Sequence, residues 1–242
     1  MSNFVINPYI VTTPDVCSFR ADFSSSSGWI SSRTSVDGTP YAEVNEPNEN
    51  LEYSVKQIVA TCGAGSYDLG VGNVSNSEWI MRFKMHWTLA PTDAGLAITI
   101  SSTQNALATT NADRIGFFLY NEGGNWSTTD LGGYHTDKKQ FYTDGTAWGG
   151  SLGVNDTSIT ASDDQDLYVE IKRTSTTAMS IRVTESSDYT GGFSISTTAL
   201  PSSVIGLRYL TFQNGNQGAG SAIGTGEIET LTFNNDTTDA CS

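Results

Sequence analysis

The stretch SEWIMRFKMHW, Ser77 to Trp87, decides the fold because its side chains alternate between two chemical kinds. Large apolar side chains occupy every second position: Trp79, Met81, Phe83, Met85 and Trp87. Neighbouring side chains of a β-strand point to opposite faces, so the pattern predicts a strand with one apolar face. Thioethers between aromatic rings are typical of a core with irregular gaps. We therefore interpret this face as the core between two sheets and not as the floor of a binding groove.

The opposite face of the same stretch carries Ile80, Arg82, Lys84 and His86. Three of these side chains are basic or become so on protonation, in a chain with only 12 lysines and arginines. They could meet an acidic glycan on a concave sheet, or pair with neighbouring acids on a convex one. We favour the second interpretation, since opposite charges commonly face each other across neighbouring strands.

Further strand-like segments follow along the chain, separated by residues that favour turns. They include GLAITIS, RIGFFLY, LYVEIKR, MSIRVTE, GLRYLTF and GEIETLTF. RIGFFLY is apolar on both faces, which indicates a central strand. No window has a sustained helical period, so the sequence predicts an all-β fold of about a dozen short antiparallel strands in two sheets.

Three segments define the predicted organisation of the 242 residues. Residues 1–17 contain Pro8 and Pro14 and are strongly apolar, so we expect an extended N-terminal arm on this domain or on a neighbouring subunit. We expect residues 18–242 to form a single two-sheet domain. Within it, residues 121–158 are rich in glycine and polar side chains and are predicted to be a long loop insertion, a kind of loop that is commonly functional.

The charge of the chain excludes some classes of partner. There are 26 acidic residues against 12 basic ones, a formal net charge of −14. Nucleic-acid binding depends on clustered lysine and arginine, so we expect no nucleic-acid partner. No apolar run approaches 18 residues, so we expect no membrane insertion. The N-terminal sequence lacks the features of a secretory signal, and we expect an extracellular or virion-surface location. Either a signal was removed before residue 1, or export takes another route, such as release by cell lysis.

The three cysteines leave two possibilities open. Their odd number means that at least one thiol is unpaired within the chain. Cys17 and Cys241 lie near the two ends and could join them if the first and last strands are neighbours. Three free thiols are an equally good interpretation.

Four segments together resemble the superfamily of concanavalin A-like lectins and glucanases, including laminin-G-like modules of viral structural proteins. They are ADFSSSSGW, EWIMRFKMHW, LYVEIKRTSTTAMSIRV and the closing GLRYLTFQN…GTGEIETLTFNN, which span about residues 18 to 235. The resemblance implies a two-sheet jelly roll with one concave and one convex sheet. It is built from structural residues and therefore informs the fold more than the function.

The resemblance also directs the search for catalytic and metal-binding residues. Glycosidases of this superfamily carry alternating acids on one strand, and the comparable pair here is Glu227 and Glu229. In the resembling modules this is the closing strand, where acids are structural, so we predict no catalytic site. Many relatives hold one structural calcium, and Asp22 and Glu229 match those positions loosely, with two surface acids as the alternative.

The predicted loop concentrates the chemistry that binds sugars. Glycans are recognised by an aromatic face together with amide and carboxylate hydrogen bonds. The loop offers such groups in Trp126, Asp130, Tyr134, His135 and Trp148, which we predict to be a glycan site. The alternative is that Trp126 and Trp148 form a small core under the loop.

These observations lead to two hypotheses for function. The first is a non-enzymatic, lectin-like jelly-roll subunit with a structural or adhesive role in a virion or cell-surface assembly. It would contact copies of itself or other structural subunits through residues 1–17, and it would bind glycans. The second is a secreted polysaccharide-degrading enzyme of the same fold, a glycoside hydrolase or lyase.

Overall fold

The computed structural model describes residues 18–21, 23–32, 42–55, 64–90, 94–104, 113–122, 124–134, 159–197, 200, 204–216 and 224–237. These residues form fourteen β-strands, here numbered in chain order, and one short 3₁₀ turn at Glu46–Asn48. The predicted all-β jelly roll is confirmed. The N-terminal arm, the three cysteines and residues 135–158 lie outside the described residues.

Eight strands make the first sheet. They are β1 (Phe19–Ala21), β3 (Ala42–Asn45), β4 (Asn50–Val55), β6 (Trp79–Leu89), β10 (Gln165–Arg173), β11 (Met179–Thr184), β12 (Phe193–Thr197) and β14 (Gly224–Asn235). Their order is β12-β11-β10-β6-β14-β4-β3, and β1 pairs with β14. The first and last described strands are therefore neighbours, with Phe19 opposite Phe233.

Six strands make the second sheet. They are β2 (Trp29–Ser32), β5 (Ala64–Asp68), β7 (Ala94–Ser101), β8 (Arg114–Glu122), β9 (Asn125–Tyr134) and β13 (Tyr209–Asn216). Their order is β2-β5-β13-β7-β8-β9. Within the described residues, every strand pair in both sheets is antiparallel.

The core lies between the sheets and is centred on β6, as the alternation in SEWIMRFKMHW predicts. The five apolar side chains at odd positions from Trp79 to Trp87 are all 0% exposed. Phe83 meets Phe212 of the opposite sheet edge to face, with ring centroids 5.7 Å apart. Full burial of a side chain of this size stabilises the fold by about 2–3 kcal/mol, so this one strand makes a large contribution to folding.

A β-bulge in β14 determines which acids face outward. Ile228 lies opposite Met85, and Thr230 lies opposite Lys84, so Glu229 is an extra residue in the ladder. A bulge of this kind places two consecutive side chains on one face. Glu229 and Thr230 therefore both lie on the outside, while Ile228 and Leu231 both remain in the core.

The prediction that residues 121–158 form one long loop is wrong for its first part, up to Tyr134. Residues 121 and 122 complete β8, and Asn125–Tyr134 form β9, its hairpin partner. Gly124 has φ of 96°, a conformation that favours glycine, and its N–H donates to Asn121 Oδ1 at 3.0 Å. Gly124, one of the glycines that indicated a long loop, thus belongs to a tight hairpin turn. In a search of the described residues, no helix has the length and apolarity needed to span a membrane.

Candidate functional site

The outer face of the eight-stranded sheet, which points away from the second sheet, divides into two halves of different charge chemistry. One half is formed by β6, β10 and β11 and will be called the paired half. The other is formed by β3, β4 and β14 and will be called the acidic half. The two meet where β14 runs beside β6, with Glu227 opposite His86.

In the paired half, Glu170 is the centre of a compact ion-pair network. Its Oε2 accepts hydrogen bonds from Arg82 Nε at 2.8 Å and Arg82 Nη2 at 2.5 Å. Its other oxygen lies 3.0 Å from Lys172 Nζ. The guanidinium of Arg82 also lies 4.3 Å from the ring centroid of Tyr189. A carboxylate that is only 9% exposed is therefore fully compensated by two cations.

Lys84 and His86 extend this network along β6. Lys84 Nζ donates to Glu229 Oε1 at 2.9 Å and lies 3.0 Å from Asp166 Oδ2. Burial lowers the pKa of Lys84, but hydrogen bonds to Glu229 and Asp166 outweigh this effect and the net shift is upward. The two ring nitrogens of His86 face Asp166 at 2.9 Å and Asp164 at 3.3 Å. The prediction that Arg82, Lys84 and His86 pair with acids is confirmed.

The acidic half contains carboxylates that lie directly opposite one another across the strands. Glu43 of β3 faces Glu52 of β4, and Glu52 faces Glu227 of β14. Within the described residues, neither Glu52 nor Glu227 takes part in an ion pair. Like charges in directly opposed positions destabilise a sheet. This arrangement is the reverse of the one in the paired half.

Neutral amides hold these two carboxylates. Asn45 Nδ2 donates to Glu52 Oε1 at 2.6 Å, and Asn50 Nδ2 donates to Glu227 Oε2. Burial is the largest cause of the raised pKa of Glu227, followed by the negative charge of Glu229. The charge of Glu52 adds to the shift, while His86 and Lys84 act in the opposite direction. Glu227 is thus a carboxylate whose charge is poorly compensated.

Asn50 adds a second unsatisfied group beside Glu227. Its side chain is buried, with 5% of the residue exposed, and its Oδ1 atom has no hydrogen-bond partner. Because the other atom of the same amide donates to Glu227, the free carbonyl lies next to that carboxylate. A buried acceptor without a donor costs about 1–3 kcal/mol. The site therefore contains acceptors in excess of donors.

Two adjoining clefts open along the acidic half. The larger, of about 550 Å³, is lined by Ser26, Trp29, Glu43, Val44, Asn45, Glu46, Pro47 and Glu52. The smaller, of about 280 Å³, is lined by Glu43, Glu52, Tyr53, Ser54, Thr88, Thr225, Gly226 and Glu227. They share Glu43 and Glu52, and together we call them the acidic cleft. Among these described lining residues there is no lysine or arginine.

Trp29 supplies the aromatic surface of the acidic cleft. It is half-buried and packs against Tyr67 and Phe23, with ring centroids 5.1 and 5.4 Å away. Nearby, the backbone N–H of Ser26 donates to Glu46 Oε1 at 2.7 Å, and hydrogen bonding from Ser26 lowers the pKa of Glu46. These contacts fix an indole beside a wall of acceptor groups.

The structure corrects one predicted glycan residue. Trp126 is 0% exposed, and its ring stacks on Trp87 with centroids 4.7 Å apart. Its Nε1 donates to Gln165 Oε1 at 2.6 Å. A ring buried on both faces has no surface for a sugar, so Trp126 belongs to the core. Of the other predicted glycan residues, Asp130 and Tyr134 lie in β9, where the structure describes the backbone and not these side chains. His135 and Trp148 lie outside the described residues.

The predicted calcium ligands are only partly placed. Asp22, Cys17 and Cys241 lie outside the described residues. Both oxygens of Glu229 accept hydrogen bonds from Lys84 Nζ, so an ammonium occupies the place that a cation would need. The described part of the chain contains no group of three histidine, cysteine or acidic side chains arranged to hold a metal ion. Lys84 holds Glu229 in this arrangement, and because Asp22 lies outside the described residues, the calcium site stays a prediction.

Sequence reasoning missed the acid pair that the structure brings together. The pair considered from the sequence was Glu227 and Glu229, which share a strand, but Glu229 is held by Lys84. The acid that faces Glu227 without a cation between them is Glu52, 175 residues earlier in the chain. Only the antiparallel register of β4 and β14 reveals this pair. Alternation of Glu43 and Glu52 with core residues was the available signal, and it was too weak to single them out.

Solved structures share this arrangement of sheets. One is the winged bean acidic lectin complexed with methyl-α-D-galactose, with a TM-score of 0.53, 12% identity, and coverage of 89% of this chain and 96% of the lectin. Another is the CBM2 module of an evolved Dit of Lactobacillus casei BL23 phage J-1, with a TM-score of 0.52, 11% identity, and coverage of 91% and 96%.

A third similar structure is a conserved carbohydrate esterase of the Shiga toxin-encoding bacteriophage phi24B, with a TM-score of 0.51, 12% identity, and coverage of 90% and 97%. Identities this low show a common fold and nothing about activity. No family model matches the sequence, and no curated protein matches it. The chain thus has the two-sheet jelly-roll fold of concanavalin A-like lectins.

Proposed function

We propose that this protein is a non-enzymatic, lectin-like jelly-roll subunit that binds a glycan in the acidic cleft. The observation that carries the proposal is the cleft itself, in which the half-buried indole of Trp29 lies beside the acceptors of Glu43, Asn45 and Glu52. A pyranose presents an apolar face to an aromatic ring and hydroxyl donors to carboxylates and amides. This chemistry matches the composition of the cleft.

A glycan array followed by calorimetry tests the proposal. We expect wild-type protein to bind a subset of glycans and Trp29→Ala to lose most of that affinity, since it removes the stacking surface. Tyr168→Ala is the matched control, because Tyr168 is a partly exposed aromatic residue of the paired half. Trp29 also packs on Phe23 and Tyr67, so folding of the variant is checked by circular dichroism. Asn45→Ala provides a second cleft variant that removes no aromatic packing.

The proposal fails if no glycan binds, or if a folded Trp29→Ala protein binds as tightly as the wild type. Unchanged binding in Asn45→Ala alone would restrict the site to the indole side of the cleft. Loss of binding in Tyr168→Ala would move the site to the paired half and would also contradict the proposal.

We further propose a structural or adhesive role in a virion or cell-surface assembly, with contacts through residues 1–17. What supports this is the apolar character of that segment, which includes Phe4, Val5 and Ile6. Such side chains in an arm favour burial against another surface. Sedimentation of the full chain should detect oligomers that Phe4→Ser and Ile6→Ser together reduce. A monodisperse monomer at high concentration would contradict this role.

An enzymatic alternative has one observation in its favour. Glu52 and Glu227 face each other on neighbouring strands, and the raised pKa of Glu227 is the property that a general acid of a glycosidase requires. Release of reducing sugar from a polysaccharide panel, abolished in Glu227→Gln, would establish this alternative. Inactivity of the wild type across the panel would remove it.

A further inference from the structure

We propose that the acidic cleft selects glycans that carry protonated amines, that is, amino sugars without N-acetylation. This inference rests on the proposed glycan-binding function and names the chemical class of its ligand. Three independent features of the described residues lead to it: the opposed carboxylates, the unsatisfied amide of Asn50, and the aromatic wall of the cleft.

A positive charge would relieve the repulsion between the opposed carboxylates. Glu52 and Glu227 are direct cross-strand partners, and the groups that hydrogen-bond to them are asparagine amides. Both ring nitrogens of the nearby His86 are directed at aspartates, and Lys84 is held by Glu229 and Asp166. The described basic groups nearby, Lys84 and His86, are therefore already engaged. A cationic ligand would supply the attraction that the described residues do not provide between these two strands.

The amide of Asn50 calls for a hydrogen-bond donor at the same place. Its buried Oδ1 atom has no partner, while its Nδ2 atom donates to Glu227. A donor group that binds Glu227 would lie next to this amide, which does not itself line the cleft. An ammonium group carries three N–H donors and no acceptor. It therefore matches the two carboxylates and the excess of acceptors around them.

An organic ammonium fits this site better than a metal ion. Within the described residues, no three acidic, histidine or cysteine side chains are arranged to hold a metal. Calcium needs six to eight oxygen ligands, more than the carboxylates of Glu52 and Glu227 supply. An ammonium needs only hydrogen-bond acceptors at ordinary distances.

The aromatic wall favours a sugar over a lysine side chain as the carrier of the ammonium. Glu52 lines both parts of the cleft, so it connects the row of carboxylates to the indole of Trp29. A chain of linked pyranoses can place one ring on the indole and the amine of another ring beside Glu52 and Glu227. A lysine-bearing peptide would use the carboxylates and would not require the indole.

The test compares oligomers of glucosamine with oligomers of N-acetylglucosamine of equal length by calorimetry in slightly acidic buffer. We expect the amine form to bind at least about tenfold more tightly, and added salt to weaken that preference. Glu52→Gln and Glu227→Gln should each lower the ratio of the affinity for the amine form to the affinity for the acetylated form. That ratio is the readout, because Glu52 also accepts hydroxyl hydrogen bonds from either form. Glu229→Gln is the matched control, because Glu229 lies on the same strand but is paired with Lys84. It should keep the preference.

The outcomes separate this inference from the proposed function. Equal binding of both oligomers would overturn the amine preference and leave glycan binding intact, whereas binding of neither would overturn both. A preference that survives both glutamine variants would show that the amine binds elsewhere and would overturn the assignment. Tight binding of a lysine oligomer, unaffected by Trp29→Ala, would identify a basic peptide as the partner and would also overturn it.

Discussion

The two halves of the outer face belong to one sheet and are built from neighbouring strands, yet their carboxylates have different partners. In the paired half, Glu170 is almost fully buried and is contacted by two cations. In the acidic half, Glu52 and Glu227 face each other, and the donors that the described residues offer them are neutral amides. The carboxylates of the paired half are already neutralised by cations of the protein. In the acidic half, a bound cation would reduce the repulsion between Glu52 and Glu227. The comparison therefore locates the candidate site.

The largest expected effect is in the paired half. Glu170→Gln should lower the free energy of unfolding by about 2 kcal/mol, because it leaves Arg82 and Lys172 close together without a counter-charge. Urea unfolding at neutral pH measures the change. Glu52→Gln, the same substitution in the acidic half, is the control and should not destabilise the protein. Equal losses in both variants would remove the distinction between the two halves.

An intermediate effect is expected at Lys84, where the halves meet. Lys84→Met keeps most of the apolar stem of the side chain but removes the ammonium between Glu229 and Asp166. We expect a loss of about 1 kcal/mol, since the pair is partly exposed and is screened by water. Thermal unfolding in low and high salt measures it, and the loss should shrink in high salt. A loss that does not depend on salt would indicate packing as its cause.

The smallest effect has the opposite sign and is expected at Glu227. Glu227→Gln should raise stability at neutral pH by about 0.5 kcal/mol, because it removes a charge that faces Glu52 and lies near Glu229. Chemical unfolding at a series of pH values measures the difference between wild type and variant. A loss of stability in the variant would show that the carboxylate is satisfied and would contradict the assignment of this half.

The pH dependence of that difference follows from the raised pKa of Glu227. Between the ordinary and the raised pKa, the folded protein binds more protons at this carboxyl than the unfolded chain does. The destabilising effect of Glu227 is therefore present above the folded pKa and is relieved as the pH falls through it. The advantage of the glutamine variant should accordingly diminish on acidification.

Asp166 gives the contrasting case in the paired half. Burial raises the pKa of Asp166, but hydrogen bonds from His86 and Lys84 outweigh it and the net shift is downward. Its contribution to stability is present above its unfolded pKa and is lost as the pH falls through the lower folded value. On acidification, the stabilising effect of Asp166 is lost and the destabilising effect of Glu227 is relieved. The pH dependence of stability therefore also distinguishes the two halves.

Sequence-based prediction succeeded where the pattern repeats over several residues. The alternation from Trp79 to Trp87 predicts both the strand and its buried face, and every odd-numbered side chain in it is fully buried. It failed where a single residue carried the inference. Trp126 was predicted to bind sugar because it lies among polar residues, but β9 packs it against Trp87. Local composition does not reveal which side chain another strand will cover.

Periodicity along one chain segment is enough to specify strands, the core face of β6 and the two-layer architecture, because burial of apolar area depends on local alternation. The pairing of Glu52 with Glu227, the bulge at Glu229 and the cleft beside Trp29 could not be predicted in this way. They arise from the register between strands that are far apart in the chain. Register depends on how the whole set of strands packs together, and charges across strands become neighbours only after that packing is complete.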